Sequence, residues 1–305
     1  MIEAIYPTLL KDTGASEIID VQLIQELWSG YGELQRVFLD SGSIILKVIN
    51  LSGDSTHPRG WSTDIGHMRK KTSYEVETRW YQNFKHELLG AIFPAHIASG
   101  NAEGYQYLIL EDLKSRGFSP KISVEWKEVE ACLSWLAHFH RFFLGKEPKG
   151  LWPIGTYWHL GTRPDELNAL QDLKLKEAAL KIDSKLNRAK YKTFVHGDAK
   201  LANFLFNKES AAAVDFQYIG GGVGVKDVAY FLSSVYAEDE LQKQEAQSLN
   251  FYFSILNHPK AEEEWRELYP FACCDFYRFL QGWSPGHWKL NSYSEKMKEK
   301  VLKCL

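Results

Sequence analysis

The chain has 305 residues, 45% of them hydrophobic and 25% charged, which is enough for a full core and for two lobes of ordinary domain size. A formal net charge of −3 excludes the basic surplus that is typical of proteins that bind nucleic acid. The four cysteines show no metal-ligand or disulfide-framework spacing, and there is neither a signal peptide nor an apolar run of about 20 residues, so we expect a cytoplasmic protein without a nucleic-acid or membrane partner.

The first third of the chain predicts antiparallel sheet, then one helix, then a further strand. Residues 34–50 place a Ser/Gly turn between two runs rich in Val, Ile and Phe, which is the pattern of a β-hairpin. Residues 73–89 have apolar and aromatic positions at helical spacing, and residues 104–113, GYQYLILEDL, form an apolar strand that ends in two acids. We expect the chain to leave its first lobe there.

The rest of the chain predicts mainly helix, with one exception. In residues 124–144, VEWKEVEACLSWLAHFHRFFL, apolar positions three and four apart indicate a core helix. Residues 194–216 instead resemble short strands that flank loops, where functional groups often gather. The fold class expected is therefore α+β, with a small sheet-containing lobe over residues 1–112 and a larger, mainly helical lobe over residues 113–305.

One acid and one amide stand out in VHGDAKLANFLF, residues 195–206. Asp198 and Asn203 lie in an otherwise apolar run, where polar groups are costly unless something binds them. Asp215 follows a second apolar run twelve residues after Asn203. Mg²⁺ prefers one or two such oxygen ligands together with phosphate oxygens and water, so Asn203 and Asp215 suit a metal that arrives with a nucleotide. Asp198 would then remain to orient and deprotonate a hydroxyl.

This spacing resembles the catalytic loop HxDxxxxN and the following metal-binding aspartate of the protein kinase superfamily. The HGD triplet resembles the form that this motif takes in the small-molecule branch of the superfamily. That branch contains the aminoglycoside phosphotransferases, choline kinases and ecdysteroid kinase-like proteins. LILEDL at 108–113 and DFQYIGGGVGVKDVAYFL at 215–232 most resemble the choline kinase-like and ecdysteroid kinase-like families. The resemblance extends over most of the chain and implies a bilobal, protein kinase-like fold with the nucleotide between the lobes.

In the first lobe, the resemblance implies a site for the nucleotide. Lys47 in IILKVIN matches the strand lysine that holds the phosphates of ATP, and its partner should be a helix glutamate. Both Glu75 and Glu77 are available, and Glu77 is preferred because Tyr81 follows four residues later, as is common in related proteins. The hinge whose backbone binds adenine is matched by Leu110, Glu111, Asp112 and Leu113.

In the second lobe, the resemblance implies the groups that carry out phosphoryl transfer. Asp198 matches the catalytic base, and Asn203 and Asp215 match the Mg²⁺ ligands. His196 is expected to brace the loop through its ring nitrogens. Lys200 stands where protein kinases place a lysine near the transferred phosphate, although many small-molecule kinases have other residues there.

The segment between Asp215 and Asp227 argues against a protein substrate. Only FQYIGGGVGVK separates the two acids, with no Ser or Thr in it, whereas a protein kinase needs a long activation segment. Asp227 matches the structural aspartate that begins the next helix. The glycines of residues 220–224 either let the backbone come close to substrate or phosphate, or form a plain tight loop.

A polar and aromatic cluster near the end of the chain is the candidate acceptor pocket, because related enzymes build theirs in this region. Its members either face an acceptor or fill the core: Asp275, Arg278, Trp283, His287 and Trp288. Aromatic residues make up 14% of the chain, including ten tryptophans, and such rings can enclose a quaternary ammonium or a flat apolar alcohol.

The function expected from these residues is ATP- and Mg²⁺-dependent phosphorylation of a small-molecule hydroxyl. The acceptor could be a choline-like amine, an aminoglycoside, a sugar or a sterol-like alcohol. The alternative is a catalytically silent nucleotide-binding relative that acts as a scaffold, and the intact Lys, Asp, Asn and Asp favour activity. The oligomeric state is not indicated.

Overall fold

The computed structural model describes residues 2–27, 30–50, 64–84, 87–88 and 90–305, and the structural statements below concern these residues. The chain forms two compact units, the first of Met1–Glu87 and Phe93–Ser119 and the second of Leu88–Ile92 and Pro120–Leu305. The first is built on a sheet and the second is mainly helical, so the α+β fold class is confirmed. The lobe boundary expected between Asp112 and Leu113 stays a prediction.

The elements are numbered in chain order. The strands are β1 (Ile18–Glu26), β2 (Gly32–Leu39), β3 (Gly42–Ile49), β4 (Glu87–Leu88), β5 (Ala91–Ile92), β6 (His96–Ala102), β7 (Tyr105–Glu111), β8 (Ser119–Pro120), β9 (Thr193–Val195), β10 (Phe204–Phe206), β11 (Ala211–Ala213) and β12 (Gly220–Gly222). The α-helices are α1 (Tyr6–Thr13), α2 (Asp64–Asn83), α3 (Trp126–Phe143), α4 (Pro164–Ala169), α5 (Leu173–Asn187), α6 (Val225–Val235), α7 (Glu238–Leu256), α8 (Pro259–Trp283) and α9 (Ser292–Lys303).

The sheet of the first unit is antiparallel, with the strand order β1-β2-β3-β7-β6. The hairpin predicted over residues 34–50 is confirmed as β2 and β3. Side chains alternate between the two faces of a strand, so Leu46 and Val48 enter the core beneath α1. Lys47, which lies between them, points to the opposite face of the sheet.

In the second unit, short strands carry the candidate site among packed helices. The core helix predicted over residues 124–144 is confirmed as α3. Strands β10 and β11 form an antiparallel hairpin, and β11 runs parallel to β5. Strands β9 and β12 pair with each other. The loop between β9 and β10, residues 196–203, is called the HGD loop below.

Two elements differ from the sequence-based expectation. Strand β1 was not predicted. The helix expected over residues 73–89 spans Asp64–Asn83 instead, and Glu87–Leu88 is a strand. Lys85, His86 and Leu89 of that prediction lie outside the described residues. Within the described ranges, no helix combines the length and the apolar character needed to cross a bilayer.

Candidate active site

The glycines of β12 admit a close approach by another part of the backbone. A Cβ on Gly220 would lie 2.2 Å from the carbonyl oxygen of Trp152, and one on Gly221 would lie 2.7 Å from that of Pro153. The structure therefore places the chain's own backbone against Gly220 and Gly221, which belong to a paired strand and not to the plain tight loop considered from the sequence. β12 in turn pairs with β9, which leads into the HGD loop.

Asp227 fixes the start of the HGD loop from the first turn of α6. Its side chain has no exposed surface, and its two carboxylate oxygens accept the N–H groups of His196 at 2.6 Å and Gly197 at 3.0 Å. The ring of His140 lies 3.1 Å from the same carboxylate. Gly197 has φ of 82°, and a Cβ there would lie 2.1 Å from the Tyr218 carbonyl oxygen, so this sharp turn requires glycine.

His196 is buried, and both of its ring nitrogens are engaged. Nε2 lies 3.0 Å from the carbonyl oxygen of Val214, and Nδ1 accepts the N–H of Asp198 at 3.2 Å. These partners fit a neutral ring with its proton on Nε2. Burial lowers the pKa of His196, although neighbouring carboxylates oppose the effect. The ring therefore ties the HGD loop to the end of β11 and is poorly placed to exchange protons with a ligand.

The two oxygens of the Asp198 carboxylate have different surroundings. Oδ2 accepts from Lys200 Nζ at 3.0 Å and from Asn203 Nδ2 at 2.9 Å. Asn203 Nδ2 also donates to the Asp198 carbonyl oxygen at 2.8 Å. Oδ1 is buried and has no hydrogen-bond partner among the described residues. The carboxylate is thus oriented through Oδ2, and the phenol of Tyr230 lies close enough for the carboxylate to raise the pKa of that phenol.

Asp215 is brought to Asn203 by a backbone contact. The N–H of Val214 donates to the carbonyl oxygen of Asn203 at 2.9 Å, and Asp215 follows directly. Asp215 has φ of 69°, a left-handed conformation that costs energy in a non-glycine residue and often marks a functional site. Burial alone would lower the pKa of Lys200, but the charges of Asp198 and Asp215 outweigh it and raise that pKa. The two acids therefore act on one lysine.

The oxygen donors of this site fit a magnesium ion that is bound together with phosphate. Asn203 uses its Nδ2 toward Asp198, while its Oδ1 takes part in no hydrogen bond within the described residues. Among all the residues that the structure describes, no three His, Cys, Asp or Glu side chains are grouped so that they could hold a metal ion by themselves. One amide oxygen and one carboxylate leave most of the coordination sphere to phosphate and water, which is the usual situation of Mg²⁺.

In the first unit, Lys47 pairs with Glu77. The Nζ atom lies 2.6 Å from Glu77 Oε2, and both side chains are buried. Glu75 instead forms an ion pair of 3.5 Å with Arg79, and its side chain is 39% exposed. The choice that the sequence left between the two glutamates is therefore resolved in favour of Glu77. The pair joins β3 to α2.

The predicted hinge is held by the side chain of Asp112. One oxygen accepts from Arg36 Nε at 2.7 Å and from Ser43 Oγ at 2.8 Å, and the other accepts the N–H of Lys114 at 3.1 Å. Burial alone would raise the pKa of Asp112, but these hydrogen bonds outweigh it and lower that pKa. Leu110 and Glu111 end β7, and Leu113 begins a short 3₁₀ helix. Asp112 thus fixes the path of the hinge backbone.

Two tyrosines close to Asp198 were missed by sequence reasoning. Tyr157 donates its N–H to the Gly197 carbonyl oxygen at 3.1 Å, next to Thr156, which has the unusual φ of 94° for a β-branched residue. The rings of Tyr157 and Tyr230 lie 5.5 Å apart. Burial, and then the Asp198 charge, raise the pKa of both phenols. They lie far from the HGD motif in sequence, and no local pattern pointed to them.

Asp275 and Arg278 of the predicted acceptor cluster have no exposed surface. Arg278 Nη2 donates to Asp275 Oδ1 at 2.8 Å and to the carbonyl oxygen of Trp158 at 3.0 Å. Lys226 Nζ lies 3.6 Å from the second oxygen of Asp275. In this structure neither residue can contact an acceptor, and we assign them instead to the packing of α6 against α8.

The other members of the cluster lie at the end of α8 and after it. Trp283 stacks on Phe279 with ring centroids 5.7 Å apart, and His287 stacks on Trp288 at 5.8 Å. Trp288 is 59% exposed. Contact of these three with an acceptor stays a prediction. Sequence reasoning passed over Lys289, whose only signal was its place in an aromatic segment.

Comparison with known protein families and sequences gives one partial match. The model of the ecdysteroid kinase-like family matches residues 158–262, a range that contains the HGD loop, Asp215 and Asp227. No curated protein sequence matches the chain significantly.

Solved structures of small-molecule kinases are similar over nearly the whole chain. A putative fructosamine-3-kinase from Haemophilus somnus is 13% identical, with a TM-score of 0.56 and coverage of 100% of this chain and 98% of that one. The aminoglycoside phosphotransferase APH(4)-Ia is 11% identical, with a TM-score of 0.59 and coverage of 99% of both chains. A microcompartment-associated aminopropanol kinase is 14% identical, with a TM-score of 0.59 and coverage of 98% and 93%. The resemblance to this branch is confirmed at the level of the fold.

Proposed function

We propose that this chain, whose fold is that of the small-molecule kinases, transfers the γ-phosphate of ATP to a hydroxyl group of a small molecule. The observation that carries the proposal is the Asp198 carboxylate, whose side chain keeps 10% of its surface exposed and has one oxygen oriented by Lys200 and Asn203. A carboxylate held in this way is suited to accept a proton from an acceptor hydroxyl.

Ligands named for the similar structures support a nucleotide, a divalent cation and a small acceptor. A variant of APH(4)-Ia forms a ternary complex with ADP and hygromycin B. The amicoumacin kinase hAmiN, with a TM-score of 0.52, is in complex with AMP-PNP, Ca²⁺ and Ami. We infer that this chain uses ATP with Mg²⁺, the metal that its oxygen donors fit.

For the nucleotide, we propose one contact to the phosphates and one to the base. Lys47, oriented by Glu77 at 2.6 Å, binds the phosphates. The backbone of Leu110, Glu111, Asp112 and Leu113 binds adenine, and the ion pair of Asp112 with Arg36 keeps that backbone in place. A preformed contact of this kind lowers the entropy cost of binding.

For the metal, Asn203 Oδ1 and the Asp215 carboxylate would be the protein ligands. When held by these two residues, Mg²⁺ would supply positive charge to the phosphates. Asn203 also restrains Asp198 through two hydrogen bonds from Nδ2, so the same side chain links the metal site to the base. The group that would contact the acceptor and the group that would contact the metal-bound phosphate therefore lie in the same loop.

In the transfer step, Asp198 orients the acceptor hydroxyl and takes its proton as the new P–O bond forms, while the bond from the γ-phosphorus to the bridging oxygen breaks and ADP leaves with that oxygen. Lys200 stabilises the carboxylate before the step and offers a positive charge near the moving phosphoryl group. The neutral phenols of Tyr157 and Tyr230 exclude water from this side of the carboxylate. Positioning and charge compensation of this kind account for most of the rate enhancement in phosphoryl transfer. The cytoplasmic location expected from the sequence remains part of the proposal.

An acceptor screen tests the proposal. Purified protein with Mg·ATP is combined with hydroxylated amines, sugars, sterols and hydroxy acids, and ADP release is measured for each. Phosphorus NMR of any active mixture should show a phosphate monoester of the acceptor. A protein that binds Mg·ATP but forms no monoester with any class would instead support the silent scaffold.

A further inference from the structure

Lys289 lies in the segment between α8 and α9, with its ammonium among three aromatic rings. Nζ lies 4.7 Å from the ring centroid of Tyr230 and 5.5 Å from those of Phe276 and Trp288. The phenol of Tyr230 is also close enough to Asp198 for the carboxylate to raise its pKa. Tyr230 therefore borders both the proposed base and this lysine, which places a second cation, besides Lys200, on the acceptor side of the site.

Within the part of the chain that the structure describes, the ammonium of Lys289 forms no ion pair with a carboxylate and donates no hydrogen bond. Burial lowers its pKa to about 8, while the Asp198 charge opposes this shift and the Lys200 charge adds to it. The group is still mostly protonated at neutral pH. A partly desolvated cation without a counter-ion is unfavourable, and an anionic ligand would relieve that cost.

The segment around Lys289 has no acid of its own, and two acids of α7 that contact it accept hydrogen bonds, Glu238 from Ser292 and Glu245 from Tyr293. Residues 276–294 contain arginine, histidine and lysine but no aspartate or glutamate. The two acids that bound this segment are engaged, since Asp275 pairs with Arg278 and Glu295 accepts from Tyr277 and pairs with Lys298. An aromatic cage can bind a quaternary ammonium, but here a lysine of the chain already occupies it.

A pocket next to Lys289 offers room for a polar substituent. Lys289 and Phe276 form part of its wall, and Ser233 of α6 and Asn291 before α9 also face it. A ligand group seated there would lie beside the ammonium. Tyr230 does not line this pocket, and that the hydroxyl of the same ligand reaches Asp198 past the Tyr230 ring is part of the proposal that follows.

We propose that the acceptor carries an anionic group, a carboxylate or a phosphate, which binds Lys289 while its hydroxyl meets Asp198. This inference rests on the proposed kinase function and names its substrate class. It selects against choline-like amines and aminoglycosides, whose positive charge would meet Lys289, and in favour of hydroxy acids or phosphorylated alcohols.

A matched set of aromatic alcohols tests the charge preference. The probes share a benzene ring and a hydroxymethyl group and differ only in the para substituent: carboxylate, phosphate, neutral carboxamide or trimethylammonium-methyl. We expect kcat/KM for at least one anionic probe to exceed that of the neutral and cationic probes by about 10-fold or more, which corresponds to about 1.4 kcal/mol. Equal or better use of the cationic probe would overturn the proposal.

Variants at Lys289 then assign the preference to this side chain. Lys289→Met should lower the ratio of kcat/KM for the anionic over the neutral probe by about 10-fold or more, mainly through KM, and Lys289→Arg should restore most of it. Lys289→Glu should shift the preference toward the cationic probe. Lys300→Met, which removes an exposed lysine of α9, is the matched control and should leave the ratio unchanged. An unchanged ratio in Lys289→Met would refute the role of Lys289.

Binding separates failure of this inference from failure of the kinase function. If neither these probes nor any acceptor of the wider screen is phosphorylated, the proposed function fails, and calorimetry with the para-carboxylate and para-phosphate probes still tests the anion site. Binding to the wild type that is lost in Lys289→Met and retained in Lys300→Met supports the site. The site is refuted if neither anionic probe binds the wild type, or if wild type, Lys289→Met and Lys300→Met bind them with equal affinity.

Discussion

At the scale of single residues, charged side chains in apolar strands and loops are held by specific partners. Lys47 lies on the face of β3 opposite the core beneath α1 and pairs with Glu77, and Asp198 lies in the HGD loop beside Lys200 and Asn203. In both cases the partner fixes the orientation of the charged group at the cost of desolvation, an arrangement that is common at functional sites. Lys47 and Asp198 are therefore the residues whose roles can be tested most sharply.

The Lys47 pair predicts unequal effects of two similar substitutions on α2. Glu77→Gln removes the charge that orients Lys47 and should weaken Mg·ATP binding by about 10-fold or more. Glu75→Gln removes an exposed charge that pairs with Arg79 and should change affinity by less than about 2-fold. Calorimetric titration of both variants with Mg·ATP measures the difference. Equal affinities would argue against nucleotide binding by Lys47.

Residues that belong to an ordered motif could be predicted from the sequence, while others could not. The spacing of Asp198, Asn203 and Asp215 indicated one site, and the structure brings these three together in the second unit. Tyr157 and Lys289 carry no motif, because only the packing of distant elements brings them near Asp198. A pattern of residue types also cannot tell a pocket wall from an internal ion pair.

Asp275 and Arg278 illustrate that last limit. They are three residues apart on α8, where a helix brings their side chains together. From sequence such a pair is equally compatible with a polar wall and with a self-satisfied buried pair. The deciding factors are Lys226 on α6 and the carbonyl oxygen of Trp158, which complete the internal network.

At the scale of elements, α6 positions the HGD loop. Asp227 accepts two backbone N–H groups of the loop and contacts His140 of α3, whose ring also bonds the hydroxyl of Tyr252 on α7. Three helices are thus tied to the loop through one carboxylate.

Asp227→Asn tests the contribution of that contact to stability. An asparagine side chain can accept through only one of its terminal atoms, so the N–H of either His196 or Gly197 loses its partner in a buried site. We expect the free energy of unfolding to fall by about 1–3 kcal/mol. Asp239→Asn, at an exposed position in the first turn of α7, should cost less than about 1 kcal/mol. Urea unfolding of both variants measures the difference, and equal midpoints would contradict the account.

Elements with a strong periodicity of apolar residues were predicted well. A strand that is held mainly by backbone pairing with its neighbour was not predicted. The β2–β3 hairpin and α3 have clear apolar patterns. Strand β1 exposes most of its residues at the edge of the sheet, so its pairing with β2 left little apolar alternation to detect. The first turns of α2 are rich in charge, which hid the start of that helix at Asp64.

At the scale of the whole molecule, buried ionisable groups make stability depend on pH. Burial, reinforced by the charges of Lys226 and Arg278, lowers the pKa of His159 to about 4, although Asp275 opposes the shift. His159 Nε2 also lies 3.6 Å from Asp183 of α5, whose pKa is raised mainly by burial. The second unit therefore contains a neutral histidine in a charged interior.

This histidine predicts loss of stability in mild acid. Its folded pKa is below its unfolded value of about 6.5, so the folded protein binds fewer protons and its stability falls as the pH falls from about 6.5 to about 4. Across this pH range His159 should lower the free energy of unfolding by about 3 kcal/mol, and the buried His196 acts in the same direction. His159→Gln should flatten the dependence of the unfolding free energy on pH in this window. An equally steep decline in the variant would contradict the assignment; the raised pKa of Asp183 acts in the opposite sense in both proteins.

The most direct test of the central claim compares turnover and melting temperature in wild type and Asp198→Asn, with an acceptor identified by the screen. If Asp198 orients and deprotonates the hydroxyl, turnover should fall by about 10² to 10⁴, the usual contribution of a positioned base, while the melting temperature and most of the Mg·ATP affinity are kept. If Asp198 is a structural acid paired with Lys200, the melting temperature should fall strongly and activity should fall only in proportion to the folded fraction. The account predicts the first result, and the second, or wild-type turnover in the variant, would contradict it.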